Sequence, residues 1–300
     1  MLKKSAKKIL PVRLQKFLKS LFLKNRMLAE RVRLLECRME YAESNMQRIL
    51  ALRHERHPTP FSYEFKIFSQ NGEDGVLAYL YSVIGTTNRF FVEVGSGNGK
   101  ENNSANLVIN GGWSGVGIDG SAENREVAKK FFERYLSKIS LVQERVTVEN
   151  INGILSAQHV PVEPDMLSID IDGNDFWIWK AITGIRPRVV IMEYNGSFGK
   201  GKSITVKYDP DFNRREKHAS GYYHGASIRA LARLGTEKGY ALIGCESAGT
   251  NAFFVRKDVL GPLKEITPED AFVPPLWRIR RESIQAQFEK VKDLPYENYL

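Results

Sequence analysis

Arg89-Phe90-Phe91-Val92-Glu93-Val94-Gly95-Ser96-Gly97-Asn98-Gly99 decides how this chain is read. Phe90 to Val92 form the short apolar run that a strand buried on both faces requires. An acidic residue closes the run, three glycines follow at alternate positions, and Asn102-Asn103-Ser104 offers helix-start chemistry just beyond. Strand, glycine turn and helix together let backbone N–H groups approach a ligand with no side chain in the way. The dinucleotide fingerprint G-x-G-x-x-G is not met, because Lys100 stands where that pattern, counted from Gly95, needs glycine or alanine.

Working outward, Ser69-Gln70-Asn71-Gly72-Glu73-Asp74-Gly75 precedes a helical pattern of Val76, Leu77, Leu80, Tyr81 and Ile84. Glu73 and Asp74 suit the start of that helix by dipole complementarity, and their nearness to the glycine strand leaves a place on a pocket rim open. After a first helix near 101–110, Gly115-Val116-Gly117-Ile118-Asp119 makes a second strand, with Asp119 at its end. An acid there can accept both hydroxyls of a ribose. A helix near 122–137 leads to a third strand, Ile139–Gln143, and then to the segment Glu144 to Asn152.

Met166-Leu167-Ser168-Ile169-Asp170-Ile171-Asp172-Gly173-Asn174-Asp175 is the fourth strand and its exit. A calcium EF-hand loop is excluded, since Asp175 and Ala181 stand where such a loop needs glycine and glutamate. Arg188 to Asn195 is the fifth strand, again with polar groups at its end. In open α/β sheets ligands gather outside the carboxyl ends of strands, so Glu93, Asp119, Asp170, Asp172, Glu193 and Asn195 should share one edge. Residues 196–225 are glycine-rich, basic and aromatic, and include Lys200, Arg214, Arg215, His218, Tyr222 and His224; a connection of this length is usually functional or disordered. A helix near 226–235 and the strands Tyr240–Cys245 and Asn251–Val255 should finish the sheet, and the tail holds one more amphipathic helix around Trp277–Val291.

The chain's 300 residues carry a net charge of +9, unevenly placed. Residues 1–60 hold 15 Lys and Arg against 5 Glu, while the remainder is close to neutral, which argues against a nucleic-acid-binding body. Leu14, Leu21, Leu28, Leu35, Ala42 and Ile49 fall on one heptad position and Leu18, Asn25, Val32, Met39 and Met46 on another. That seam predicts a helical arm, residues 1–57, pairing two copies as a parallel coiled coil, with the body at 58–300. The alternatives are a Lys-rich helix resting on an anionic membrane surface, or one packed on its own body. Cys37 and Cys245 form no metal-like cluster, and a cytoplasmic setting, peripheral to a membrane if the arm binds one, is the expectation.

The segments SQNGEDG, FFVEVGSGNG, GGWSGVGIDG, LSIDIDGNDFW and VVIMEYN resemble the FkbM-type branch of class I S-adenosylmethionine-dependent methyltransferases, over residues 65–257. The resemblance implies a Rossmann-like α/β fold, mostly parallel with an antiparallel last strand. It implies S-adenosylmethionine as cofactor, with Glu93, Gly95, Gly97 and Gly99 at its methionine end, Asp119 at its ribose and Asp170 beside it. It also implies methylation of a hydroxyl on a sugar, glycan or natural product. Loss of the hydroxyl proton calls for a base, for which Asp172 and Glu193 are candidates and His218 and His224 further ones, or for Mg²⁺ held by Asp170, Asp172, Glu193 and Asn195. Two other classes stay open: a metal-dependent glycosyltransferase using Asp170-Ile171-Asp172 as its D-x-D, and a non-catalytic assembly protein built on the same body.

Overall fold

The computed structural model describes Leu21, residues 23–29, Val32 and residues 59–300. The chain divides into two units, Met1–His57 and Pro58–Leu300. In the first, the described residues are helical and exposed, among them Leu21, Leu28 and Val32 of the heptad seam. The rest of the seam, Asn25's pairing role and Cys37 lie outside what these residues can show.

The body is built on a seven-stranded sheet. In chain order its strands are β1 (Phe90–Val94), β2 (Ser114–Asp119), β3 (Ile139–Gln143), β4 (Met166–Ile169), β5 (Val189–Glu193), β7 (Tyr240–Cys245) and β8 (Asn251–Arg256). Their order across the sheet is β3-β2-β1-β4-β5-β8-β7. Strands β1 to β5 pair in parallel, and β8 runs antiparallel to both its neighbours. This is the Rossmann-like sheet the sequence predicts, with its antiparallel final hairpin. The order reverses at β1, so the glycine turn after β1 opens at the sheet's switch point, where ligands bind in this architecture.

Period-two alternation makes both faces apolar. Val92, Val94, Leu167, Ile169, Val190 and Met192 pack on one side with Phe176, Trp179, Leu231 and Leu234. Phe91, Met166, Val189 and Ile191 pack on the other with Val76, Leu77, Leu80 and Trp113. A strand so enclosed cannot tolerate a register slip, because a shift by one residue would exchange the two faces. A second, two-stranded antiparallel sheet joins β6 (Ile204–Val206) from the long connection to β9 (Tyr296–Asn298) from the tail. The connection is therefore ordered. The single tail helix expected around Trp277–Val291 is two short helices, Leu276–Ile279 and Ile284–Glu289, separated where Ser283 caps the second. Among the described residues no helix is long and apolar enough to cross a membrane.

The edge opposite the ligand side is closed by one carboxylate. Asp165, fully buried, accepts the backbone N–H groups of Thr87 at 2.8 Å, Asn88 at 2.9 Å and Arg89 at 2.6 Å, and lies 3.3 Å from Arg188 Nε. These bonds fix how the chain enters β1. Asp165→Ala should cost about 3–5 kcal/mol of stability in urea unfolding, because three N–H donors and a guanidinium lose their shared acceptor. A loss under about 1 kcal/mol would show that the entry to β1 is held by other contacts.

Candidate functional site

The turn after β1 depends on Gly95. Its φ is +85°, and a Cβ there would fall 1.6 Å from the carbonyl oxygen of Asp170, so any other residue would push β1 and β4 apart. Gly95 and Gly97 line a cleft of about 650 Å³ with Asp119, Ser121, Asn124, Glu144, Arg145 and Val146 on one side. Asp170, Ile171, Asp172, Asn174, Pro210, Phe212 and Asn213 line the other. Asp119 ends β2 at this cleft. Its Oδ2 accepts Gly97 N–H at 2.9 Å, and its Oδ1 accepts Ser121 N–H at 2.8 Å and the Asn124 side chain at 3.1 Å. The carboxylate thus ties the glycine turn to the exit of β2 while standing at the cleft wall.

Two residues expected at the cofactor have structural partners in this structure. Glu93 is not among the residues lining the cleft. It is buried and accepts the N–H groups of Asn103 at 2.7 Å and Ser104 at 3.1 Å, at the start of the helix Ala105–Ile109. Burial raises its pKa to about 7, with those hydrogen bonds pulling the other way. Gly99 also lies off the cleft. A Cβ on it would meet the Phe132 ring at 2.6 Å, so the glycine is a packing requirement.

The exit of β4 is shaped by Asp175. This buried carboxylate accepts Ile171 N–H at 2.7 Å and Gly173 N–H at 2.9 Å. Folding the loop back on itself puts Asp172 in the left-handed region, φ +58°, a conformation that costs a non-glycine residue free energy. The return is that Asp172 projects to the cleft edge, with its side chain 64% exposed.

Asp170, Asp172 and Glu193 offer oxygens that all lie within 4.8 Å of one another. Burial, then the charges of Glu193, Asp175 and Asp172, drive the Asp170 carboxyl well above its ordinary range. Burial and Glu193 likewise raise Asp175 to about 7. Positive charge arrives from two segments distant in sequence. Arg214, in the long connection, donates to Asp172 Oδ1 and sits 3.9 Å from Glu193 Oε1. Arg278, in the tail, is buried and donates to Asn195 Oδ1 at 3.2 Å and Ser197 Oγ at 3.1 Å. Burial works against ionisation of Glu193, but His224, Arg214 and Arg278 outweigh it and hold the carboxyl below the usual range.

His224 is fully buried, with Nδ1 3.6 Å from Glu193 Oε2 and Nε2 3.1 Å from Arg278 Nη2. A guanidinium can only donate, so Nε2 accepts and the ring's proton sits on Nδ1, on the Glu193 side but beyond hydrogen-bond distance of Oε2. Burial, which pushes the imidazole below its ordinary pKa, agrees with that neutral tautomer. Asn195 does not join the carboxylates. Its Oδ1 accepts Ser197 N–H and Arg278, and its amide nitrogen donates to the carbonyls of Tyr222 at 2.7 Å and His224 at 2.9 Å. A further metal ligand from this side chain would break that lattice.

The rim role considered for Glu73 and Asp74 falls instead to Gln70. Asp74 accepts the N–H groups of Ile67, Phe68 and Ser69, and Glu73 those of Asn71 and the Asn251 side chain. Gln70, with Asp170, Asp172, Glu193, Thr250, Trp277 and Arg278, lines a small recess of about 170 Å³. His218 bonds the Ser220 hydroxyl at 2.7 Å and makes no contact with the carboxylates. Arg214 and the Trp277–Val291 segment have no part that local pattern alone assigns. The signal was present as a basic, aromatic connection and an amphipathic tail that a neutral body does not otherwise need.

No protein-family model matches the chain, and no curated protein matches it. Among solved structures, the chain is similar to the N-terminal domain of EvdMO1 with SAH bound (14% identity, TM-score 0.39, 63% of this chain and 80% of that one). It is also similar to an O-methyltransferase from Bacillus cereus in complex with SAH (17%, TM-score 0.41, 72% and 89%). A third is the pyocyanin biosynthetic protein PhzM (15%, TM-score 0.36), of which this chain spans 53%. These are distant similarities.

Asp175→Ala should release the β4 exit loop, cost about 2–3 kcal/mol in urea unfolding and expose the Ile171 and Gly173 amides to hydrogen exchange. Unchanged protection of those two amides would mean that the loop is held without the carboxylate.

Proposed function

We propose that the body is an S-adenosylmethionine-dependent O-methyltransferase acting on a hydroxyl of a small molecule or glycan. The observation that carries this reading is a junction. The cleft lined by Gly95, Gly97 and Asp119 meets a second cavity at Ile171, Asp172, Phe212 and Asn213, so two ligands would face each other across Asp172. The cleft residues fit the cofactor. Bare glycine backbone leaves room at the turn, Asp119 stands at β2's end for a ribose, and the crowded carboxyl groups of Asp170, Asp172 and Glu193 favour a cation, as the sulfonium and ammonium groups are.

S-adenosylmethionine, when bound, supplies a methyl group on a sulfonium centre that an oxygen nucleophile displaces in line. The chain's task is then positioning and removal of one proton. Asp172 lines the cleft, the neighbouring cavity and the small recess, and takes the acceptor's hydroxyl proton on its carboxylate. Arg214 fixes that carboxylate's direction. Glu193, more deeply buried and backed by His224, lies beside Arg214 and is the second candidate base.

The cluster of three carboxylates favours a second reading. Hard oxygen donors at this spacing suit Mg²⁺, which Asp170, Asp172 and Glu193 would hold if Arg214 moved aside, and which would acidify an acceptor hydroxyl there.

Calorimetry with S-adenosylhomocysteine tests the cofactor assignment. Binding is expected, and Asp119→Ala should weaken it by about 1–3 kcal/mol; absence of binding to the parent protein would remove the methyltransferase reading. Transfer assays test the proton's route. Asp172→Asn should lower turnover by roughly 10²- to 10⁴-fold with donor affinity nearly unchanged. Full activity in EDTA leaves the carboxylate as base, whereas loss that Mg²⁺ restores assigns the cluster to a metal.

A further inference from the structure

The cavity that meets the cleft at Asp172 has a volume of about 770 Å³ and a wall unlike the cleft's. It carries four arginines, Arg214, Arg215, Arg278 and Arg281, against the single carboxylate of Asp172. Two of the four are engaged: Arg214 with Asp172 and the Gly221 carbonyl, Arg278 with Asn195, Ser197 and His224. Arg215 and Arg281 are exposed and have no ion pair among the described residues. Glu282, which meets the wall through the Tyr222 hydroxyl at 2.6 Å, is paired with Lys290 at 2.7 Å.

Trp277 stands in the same wall, 52% exposed, with the guanidinium carbons of Arg278 and Arg281 at 5.5 and 5.4 Å from its ring centroid. A guanidinium over an aromatic ring can keep its edge free for a planar, two-point anion such as a carboxylate or phosphate, and Arg281, unlike Arg278, has no ion pair or side-chain hydrogen bond there among the described residues. The chain therefore maintains a concave, net positive surface directly beside a net negative strand edge, at the cost of like-charge repulsion among its arginines.

From this polarity we infer that the acceptor is an anionic hydroxyl compound, such as a sugar bearing a phosphate or carboxylate group. Arg215 and Arg281 hold its charged group, and Trp277 lies under its body. The direction of its hydroxyl, toward Asp172, rests on reading the cleft as the methyl-donor site. The two charge fields orient the molecule. An anionic acceptor entering the wrong way round would bring its charge against Asp170, Asp172 and Glu193, and only the arginine wall separates the two ends. A neutral acceptor would gain nothing from Arg215 or Arg281.

The test is calorimetric titration of the full-length protein with glucose 6-phosphate, glucuronate and glucose, repeated on Arg215→Gln/Arg281→Gln and on Arg215→Lys/Arg281→Lys. At least one anionic probe should bind at least tenfold more tightly than glucose. The glutamine pair should lose about tenfold or more of that affinity, and the lysine pair should retain part of it. The stronger of the two anionic probes tells phosphate from carboxylate. Failure of both anionic probes to exceed glucose overturns the inference, as does unchanged affinity in the glutamine pair. A parallel titration with S-adenosylhomocysteine separates the donor site from the acceptor site. If it binds and the anions do not, the acceptor inference alone falls; if the anions bind through Arg215 and Arg281 and it does not, the donor reading falls and the anion site stands. Both residues are exposed, so the variants should melt within a degree or two of the parent, which confirms that a loss of affinity is not a loss of fold.

Discussion

Crowding of negative charge at the carboxyl ends of β4 and β5 is the constraint on which the rest of the body depends. Asp170, Asp172 and Glu193 put ligand oxygens within 4.8 Å of each other, and Asp175 lies close enough to raise Asp170 further. Carboxylates so placed repel one another and lose hydration, a cost of several kcal/mol unless cations or protons answer it. Here both answers operate. Asp170 is driven toward its protonated form, and Glu193, with the His224 ring beside it, is kept ionised by the guanidinium groups of Arg214 and Arg278.

That requirement explains the parts of the chain a bare sheet would not need. The connection of residues 196–225 is pinned by β6, by pairing with β9 and by the bond from Gly225 N–H to the Gly173 carbonyl at 3.1 Å. It delivers Arg214 and His224 to the acidic edge. The tail returns across the same edge and delivers Trp277 and Arg278, with Asn195 bridging tail and connection through four hydrogen bonds. The two segments pack on each other through a buried cluster that includes Phe198, Val206, Tyr223 and Val291, and the cations they carry answer the charge at the strand ends. The same cations, having reached the strand ends, also form the wall of a cavity that opens beside the glycine-lined cleft.

The sheet was legible because its signals are local. Short apolar runs, glycine turns and acids at strand ends place β1 to β5 nearly to the residue, and Gly95, Gly97, Asp119, Asp170 and Asp172 all reach the expected cleft. What local sequence leaves undecided is set by the partners each side chain meets in the fold. Nothing local distinguishes Glu93 as an acid beneath a ligand from Glu93 as the acceptor for the start of the next helix. Gly99 gives the same signal whether it faces a cofactor or the Phe132 ring. Asn195 looks like a ligand until Ser197, Tyr222, His224 and Arg278 are seen to occupy its amide. Arg278 stands 85 residues after Glu193, so its role depends on a tail path that periodicity cannot supply. The arm differs again: its heptads are plain in sequence, and pairing is a property of two chains.

The central claim is that one cleft holds a methyl donor and delivers its reactive end to Asp172. A crystal structure with S-adenosylhomocysteine tests it most directly. Ribose density is expected at Asp119, the homocysteine end over Gly95 and Gly97, and the sulfur at the junction of the two cavities, facing Asp172. Density that places the sulfur away from Asp172, or the nucleoside anywhere but this cleft, would contradict it.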